Sequence, residues 1–389
     1  MQIRIDARVL ERIVSTAAQA ISSKLTKLEN ECVYMNVNAN SGKPFLAVQA
    51  QDNGIAIRKV TDELDVIEDG VALIPAKTLL SFLKLMKGEV ALTMDSNGTK
   101  CTLKNGGKKS TISCMDADDY NPDFADLRDA ETVSMSAVDY IGVVESTMHC
   151  ISVDQGRLIL TGVNFAFNAE TGACVGVGLD GFRLARVRRA AETNSTFNVT
   201  IPANMAKLIA KTIQGGNVSF RFGNGLVIVE DYDVAIQASL LSGEYMDVDR
   251  IIPQSSRMQA KVNVADMLEA VRMAMISAHD GEKNLIVMNF DKEDTLEISA
   301  ISDFSSAVSA IPCDLLGEMS IPEGSSGKTL ESGTKEIAFN GKYVEDALKA
   351  ASEFCGEVTL KFNTPVSPMG IVPLNRDDFY QLVLPVRRM

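Results

Sequence analysis

One pattern of residues is written three times along this chain. It reads first as Ile74-Pro75-Ala76-Lys77, then Leu79, Leu80, Leu83 and Met86, then Gly88 and the run Val90-Ala91-Leu92-Thr93-Met94. It returns at Ile201-Pro202-Ala203-Asn204, with Met205, Leu208, Ile209 and Ile213, then Gly215-Gly216 and Val218-Ser219-Phe220-Arg221-Phe222. A third copy opens at Phe339-Asn340-Gly341-Lys342, runs through Val344, Ala347, Leu348 and Ala351, and reaches Gly356 and Val358-Thr359-Leu360-Lys361-Phe362. Apolar residues at helical spacing predict a helix, glycine ends it, and alternation at period two predicts a strand. In the first two copies the proline is expected at the first helical position, where its missing N–H is not needed. The copies recur at intervals of roughly 130 residues, the size of a whole domain rather than of a solenoid unit.

With the chain folded on that period, three domains are expected, at 1–125, 131–253 and 256–389. Asp6 caps a first helix striped by Val9, Leu10, Ile13, Val14, Ala17 and Ile21, with Arg8 and Arg12 on its polar side. Short strand-like runs follow, separated by turns at Asp52-Asn53-Gly54, Asn97-Gly98 and Asn105-Gly106. Domain two repeats the order from Ser136, and its first helix carries Asp139 and Glu145 but no base. Domain three opens at Gln259–Val262, with Met267, Leu268, Val271, Met275 and Ile276 on its first helix; residues 322–335 read as a solvated loop. Each unit holds two helices and about six to eight short strands, which predicts an α+β fold with helices packed on one side of antiparallel sheet.

The net charge is −13, which taken alone argues against a nucleic-acid partner. Its distribution says otherwise. Lys77, Lys84 and Lys87 share a helix face, and Lys207, Lys211, Arg272, Lys342 and Lys349 lie on the corresponding faces of later helices, while the acids fall mostly in turns and linkers. Cysteines stand scattered at 32, 101, 114, 150, 174, 313 and 355, an odd number without a CxxC pair, so neither a disulfide framework nor a zinc site is expected. With no signal peptide and no run of about 18 apolar residues, a cytoplasmic protein is expected.

Motifs that could carry chemistry fail on context. Gly176-Val177-Gly178-Leu179-Asp180-Gly181 matches GxGxxG, but Phe182-Arg183-Leu184-Ala185-Arg186-Val187 follows as a strand, where a dinucleotide site needs a helix. Gly327-Lys328-Thr329 resembles the end of a phosphate-binding loop, but Pro322 stands where its glycine must be. His149 and His279 are the only histidines and lie in different repeats. Asp118-Asp119 and Asp377-Asp378 could serve as acid–base pairs, but their place beside turns reads as solvated charge. No catalytic residue, metal ligand or cofactor is therefore expected.

Asp180-Gly181-Phe182-Arg183-Leu184-Ala185, the Ile-Pro-Ala helix starts, Leu160-Thr161-Gly162-Val163 and the tail Leu382-Val383-Leu384-Pro385-Val386-Arg387 together resemble the bacterial sliding clamp, the beta subunit of DNA polymerase III. The likeness covers essentially the whole chain. Phe182 stands where that family more often has His or Tyr, and Met246 where it commonly has proline. The resemblance implies a head-to-tail homodimer, a ring of six similar domains with helices lining the hole. It implies a processivity factor, not an enzyme, that encircles duplex DNA without reading sequence and is opened by a clamp loader. On it, Lys77, Lys84, Lys207, Lys211, Arg272, Lys342 and Lys349 face the DNA, Lys24 and Arg157 lie on loops at the rim, and Met275 and Ile276 lie in the dimer interface. It also implies a groove for short linear peptides of the replicative polymerase (the DNA polymerase III alpha subunit), the loader and repair factors. That groove is formed by Leu160, Gly181, Phe182, Arg183, Leu184, Met246, Ile251, Pro368, Met369, Leu382, Leu384, Pro385, Val386 and Arg387, with Arg183 and Arg387 binding carbonyls or acids at its rim. Two other readings are a clamp-like paralogue outside replication and a repeat-built nucleotide-binding enzyme using Gly176–Gly181.

Overall fold

The structure, a computed structural model, describes residues 1–21, 28–39, 43–52, 54–117, 120, 124–278, 284–319 and 335–386. Lys24, Asn53, Asp118, Asp119, His279, Pro322, Gly327, Lys328, Thr329 and Arg387, singled out above, lie outside the described residues, as does most of the 322–335 stretch.

Among the described residues six α-helices recur in pairs: α1 (Ala7–Ala17) with α2 (Ala76–Leu83), α3 (Ala137–Thr147) with α4 (Ala203–Thr212), and α5 (Val264–Ala278) with α6 (Gly341–Ser352). The first helix of each of the first two pairs starts at a side-chain cap: Asp6 accepts from the N–H of Arg8, and Ser136 from that of Asp139. Asn340 caps α6 in the same way, accepting from the N–H of Lys342. Pro75 and Pro202 stand one residue earlier than expected, each as the last residue of a strand and the N-cap of its helix. Their φ values of −54° and −50° already suit a helix, but ψ values of 111° and 140° remain extended. A ring that fixes φ while leaving ψ free serves a strand-to-helix corner at that position.

Among the described residues the strands form four antiparallel sheets. Two of them have nine strands, and each is built from two neighbouring repeats. At the first seam Val234–Ser239 pairs with Ile55–Thr61, Val234 opposite Lys59 and Ala238 opposite Ile55. At the second, Arg183–Ala190 pairs with Phe379–Val383, Arg183 opposite Val383 and Val187 opposite Phe379. The two outermost sheets have five and four strands, with Lys108–Ser113 at an edge of one and Ser306–Pro312 at an edge of the other.

Burial follows the alternation seen in the sequence. One continuous apolar cluster fills the first two repeats, a second fills the third, and a small third cluster lies at the second seam. The GxGxxG stretch belongs to this packing. Gly176 and Gly178 lie in the strand Ala173–Leu179, and Cβ atoms there would fall 2.2 Å from Val143 Cγ1 and 2.3 Å from the Thr147 carbonyl oxygen of α3. The glycines let a helix lie close on the sheet. Gly181, at φ +93°, makes the turn into the next strand. At the first seam Lys59, 2% exposed, pairs with Asp233 from the neighbouring repeat. Among the described residues no helix is long and apolar enough to cross a membrane.

Candidate functional site

Two surfaces gather the residues singled out by sequence. The first is at one end of the second seam. Leu160, Leu184 and Leu382 cluster there with Val177, Leu179, Tyr245 and Val248, and Leu384, Ile159 and Ile252 pack against them. The tail is held on the hairpin by the Leu384 N–H, which donates to the Phe182 carbonyl at 2.9 Å, and further along by the Val386 N–H on the Ala338 carbonyl at 2.8 Å. Phe182 and Met246 remain exposed, at 60% and 54%. Gly181 is exposed, and Ile251, Pro368, Pro385 and Val386 are half-buried. The result is an aliphatic floor with two exposed apolar side chains beside it.

Three expected roles change. Leu184 and Met369 are fully buried, Leu184 in the floor and Met369 in the core of the third repeat, so they support the surface rather than present it. Leu184 lies on a strand of the seam and Met369 on the strand beside it within the third repeat, and in both alternation points the side chain inward. Arg183 is not a free rim cation. Its Nε donates to Asp180 at 2.9 Å and its Nη1 to Asp346 of α6 at 2.9 Å, and its guanidinium lies 4.3 Å from the centroid of Tyr343. Phe182 stacks on the same ring at 6.4 Å. Arg183 therefore braces the hairpin of one repeat against α6 of the next. Arg157 takes a place not expected of it: a Cβ on Gly181 would lie 3.7 Å from its Nη1, so its guanidinium stands beside the groove.

Behind the floor, His149 Nε2 is 2.9 Å from Gln381 Oε1, and burial pushes the imidazole down to about 4. It is neutral at physiological pH and serves the seam as a hydrogen-bonding group. Tyr343, Asp346, Asp180 and Tyr245 were missed as site residues by sequence reasoning. Only Asp346, four residues after Lys342 on one helix, carried a usable charge signal.

The second surface is the polar side of the helices. Lys77, Lys84, Lys207 and Lys211 are exposed, and among the described residues none makes an ion pair. The third repeat differs. Arg272 Nε at 3.1 Å, Lys342 Nζ at 3.2 Å and Lys349 Nζ at 2.7 Å all meet the carboxylate of Glu345, whose side chain is 9% exposed. Lys342 also reaches Asp346 at 3.0 Å. The three expected DNA-facing cations of this repeat are thus partly neutralised. Ile276 is 71% exposed and Met275 half-buried, on the helix that packs against the edge strand Ser306–Pro312.

Three α+β repeats thus share sheets that run across the seams, with unpaired lysines among the described residues on the helices of the first two repeats and paired cations on those of the third. The central repeat, residues 136–247, matches the family model described as the DNA polymerase III beta subunit, central domain. The beta sliding clamp of Staphylococcus aureus is 24% identical over 339 residues, covering 86% of this chain and 85% of the relative. That of Staphylococcus epidermidis is 24% identical over 327 residues, covering 83% and 82%. In fold the chain is similar to the sliding clamp of Bacillus subtilis, with a TM-score of 0.88 at 22% identity and 100% of both chains covered. It is similar to the beta subunit of Streptococcus pyogenes as well, at 0.89, 17% and 100% of both. The central repeat thus matches the beta subunit's central domain, and over most of its length the chain is similar in sequence, and over all of it in fold, to bacterial beta sliding clamps. The nucleotide-binding reading of Gly176–Gly181 fails on geometry: Gly176 and Gly178 lie in a strand packed against α3, and another strand follows where a dinucleotide site needs a helix.

The Glu345 cluster carries a pH dependence. Hydrogen bonds from Lys349 first, then from Arg272 and Lys342, hold this carboxyl at about 2, below its ordinary value of 4.5. A carboxylate lowered on folding contributes stability at pH above its unfolded value, and that contribution is lost as pH falls through the folded one. Glu345→Gln is expected to lower the melting temperature at neutral pH, with the difference from the parent protein shrinking between about pH 4.5 and about pH 2. Melting curves across that range check it, and a pH-independent difference would contradict the assignment.

Proposed function

We propose that two copies of this chain close head to tail into a ring of six similar domains, with domain boundaries at 1–125, 131–253 and 256–389. The ring encircles duplex DNA in the bacterial cytoplasm, slides on it, and tethers the replicative polymerase and repair factors after a loader ATPase has opened it. The observation that supports this reading is an edge strand on each of the two outermost sheets, one in the first repeat and one in the third. Lys108–Ser113 and Ser306–Pro312 each end a sheet, and an exposed edge is a template for pairing with another chain. Val308 is 61% exposed on the second edge, with Ile276 on the helix behind it. Contacts between two different surfaces make a closed ring when the rotation closes. Inside the ring, lysines that meet phosphates suit a protein that must hold DNA without reading it.

A ring predicts topological retention. Protein loaded on nicked circular DNA is expected to stay through a gel-filtration column and to be lost once the circle is cut. Equal loss from both forms overturns the ring.

The inner faces predict a graded salt response. Each phosphate contact adds about −0.9 to the slope of log affinity against log salt. Lys207→Glu with Lys211→Glu is expected to flatten the slope more than Lys342→Glu with Lys349→Glu, because the latter pair already shares acids within its own helix. Equal flattening would remove the distinction between free and paired faces.

The groove is proposed to take an extended peptide from polymerase or loader, an apolar anchor seated on the Leu160–Leu382 floor between Phe182 and Met246, with Arg157 available to its carbonyls or acids. Anchor contacts are commonly worth at least about 2 kcal/mol, roughly thirtyfold in affinity. Phe182→Ala with Met246→Ala is expected to weaken a polymerase-tail peptide by that order in fluorescence anisotropy, with the melting temperature held, since both side chains are exposed. Undiminished affinity in the folded variant would place the partner site elsewhere.

A further inference from the structure

The groove has a counterpart at the first seam, on the same backbone plan. At the second seam Leu184 stands opposite Leu179 on one side and opposite Leu382 on the other. At the first seam Ala56 holds that place, opposite Gln51 and Gln237. The equivalence reaches the next strand out. Gly162 pairs with Pro202 and Cys32 with Pro75, and two residues ahead of them stand Leu160 and Asn30. Four leucines of the groove floor thus correspond to Asn30, Gln51, Ala56 and Gln237. Gly54 likewise stands where the groove has Phe182. Where the side chains at 54 and 56 are small, a cavity of about 230 Å³ opens between the first two repeats, and Asn30, Gln51, Asp52, Gly54, Ala56 and Gln237 are in its lining. Its polar groups are set by their neighbours. Gln237 Oε1 accepts from the Ala125 N–H at 2.7 Å, which leaves the Gln237 NH2 for the cavity. Asp52, only 6% exposed, accepts from Asn30 Nδ2 at 3.0 Å. A carboxylate accepts up to about four hydrogen bonds.

We propose that this cavity is a second docking site and takes a primary carboxamide, the side chain of an Asn or Gln of a protein partner. Such a group carries both an acceptor oxygen and an NH2 donor. Its oxygen meets the Gln237 NH2, and its own NH2 meets the Asp52 carboxylate. An aliphatic side chain would displace water from these polar groups and return no hydrogen bond. An acid would set a second carboxylate beside Asp52, like charge against like. That a protein supplies the carboxamide rests on the docking role proposed for the groove. One scaffold then reads two kinds of side chain, apolar at the second seam and polar at the first.

The test uses the full-length protein with glutamine labelled by nitrogen-15, the Gln237 NH2 signal being assigned by its loss in Gln237→Leu. The probe is acetyl-Ala-Gln-Ala-N-methylamide, with the Leu and Glu tripeptides in the same caps as controls. The Gln probe is expected to move the Gln237 signal saturably, and the Leu and Glu probes to leave it unmoved. Ala56→Leu puts the groove's own side chain on the equivalent backbone; it is expected to fill the cavity and abolish the response while keeping the melting temperature. Gln237→Leu, followed through the Gln51 side-chain signal, is expected to weaken the Gln probe roughly fivefold, the loss of one hydrogen bond. Phe182→Ala with Met246→Ala is expected to leave the Gln237 response intact, which separates failure of the groove from failure of this site. A Gln237 signal that the Gln probe does not move, equal movement by all three probes, or undiminished binding in both cavity variants overturns the proposal. So does saturation by free glutamine at the same concentration, which would assign the cavity to a small molecule rather than a protein partner.

Discussion

The pairing of strands across repeats is the constraint on which the rest of this molecule depends. Each repeat brings two helices and their sheets, but the nine-stranded sheets exist only because Val234–Ser239 pairs with Ile55–Thr61 and Arg183–Ala190 with Phe379–Val383. Backbone hydrogen bonds at these seams satisfy edges that would otherwise be exposed. Register matters more there than inside a repeat, because a slip of one residue would turn every side chain to the wrong face. The charged pairs sit at those places. Lys59 reaches Asp233 at the first seam, and Arg183 and Arg189 meet acids of the third repeat at the two ends of the second. Such pairs add little net stability, but a wrong register would leave a buried charge unmatched.

Both ends of the second seam are built on one plan. At each end an arginine of the strand Arg183–Ala190 crosses to an acid of the next repeat, and an aromatic ring of that repeat lies against the guanidinium. The rings are Tyr343 near the start of α6 and Phe354 just past its end, so a single helix supplies both stacking partners. The groove end carries an aliphatic floor and the far end a paired cluster of arginines and aspartates, so the two ends differ in chemistry although their scaffolding is alike.

The parts of this fold that were legible in the sequence are local. Helix starts at Asp6, Ser136 and Asn340, the apolar stripes and the strand alternation depend on neighbours within a few residues, and periodicity reports them. The strand nature of Gly176–Leu179 was legible for the same reason, though why glycine is needed there was not, since that depends on how closely α3 lies. The helix lysines were found as a recurring face. What could not be read was which cations are already spent. Arg183 and Asp346 are 163 residues apart, and Lys59 and Asp233 are 174 apart. Nothing local marks Arg183 as a brace and Arg157 as the guanidinium beside Gly181. The burial of Leu184 and Met369 was hidden in the same way, because an aliphatic residue at a seam reads alike whether it faces a partner or the floor beneath it.

The division between free and paired lysines bears on how a clamp can hold DNA and still move. Sliding needs attraction that is spread out and shallow, because a deep well at one azimuth would stop the ring there. Among the described residues Lys77, Lys84, Lys207 and Lys211 each offer an unshared charge, but Arg272, Lys342 and Lys349 surround one nearly buried carboxylate, with Lys342 also on Asp346. A charge that already has a partner at about 3 Å loses much of its pull on a phosphate several ångströms away across water. On the proposed ring, attraction would therefore come chiefly from the first two domains of each copy, and twofold symmetry would place those domains on opposite sides of the duplex. The pull of one side would be balanced by the other, which keeps DNA near the centre without a tight contact anywhere. The acids that quiet the third domain also hold its helices together and, through Asp346 and Arg183, tie them to the hairpin beside the groove. On the proposed ring, one cluster would thus serve the fold and the inner surface together.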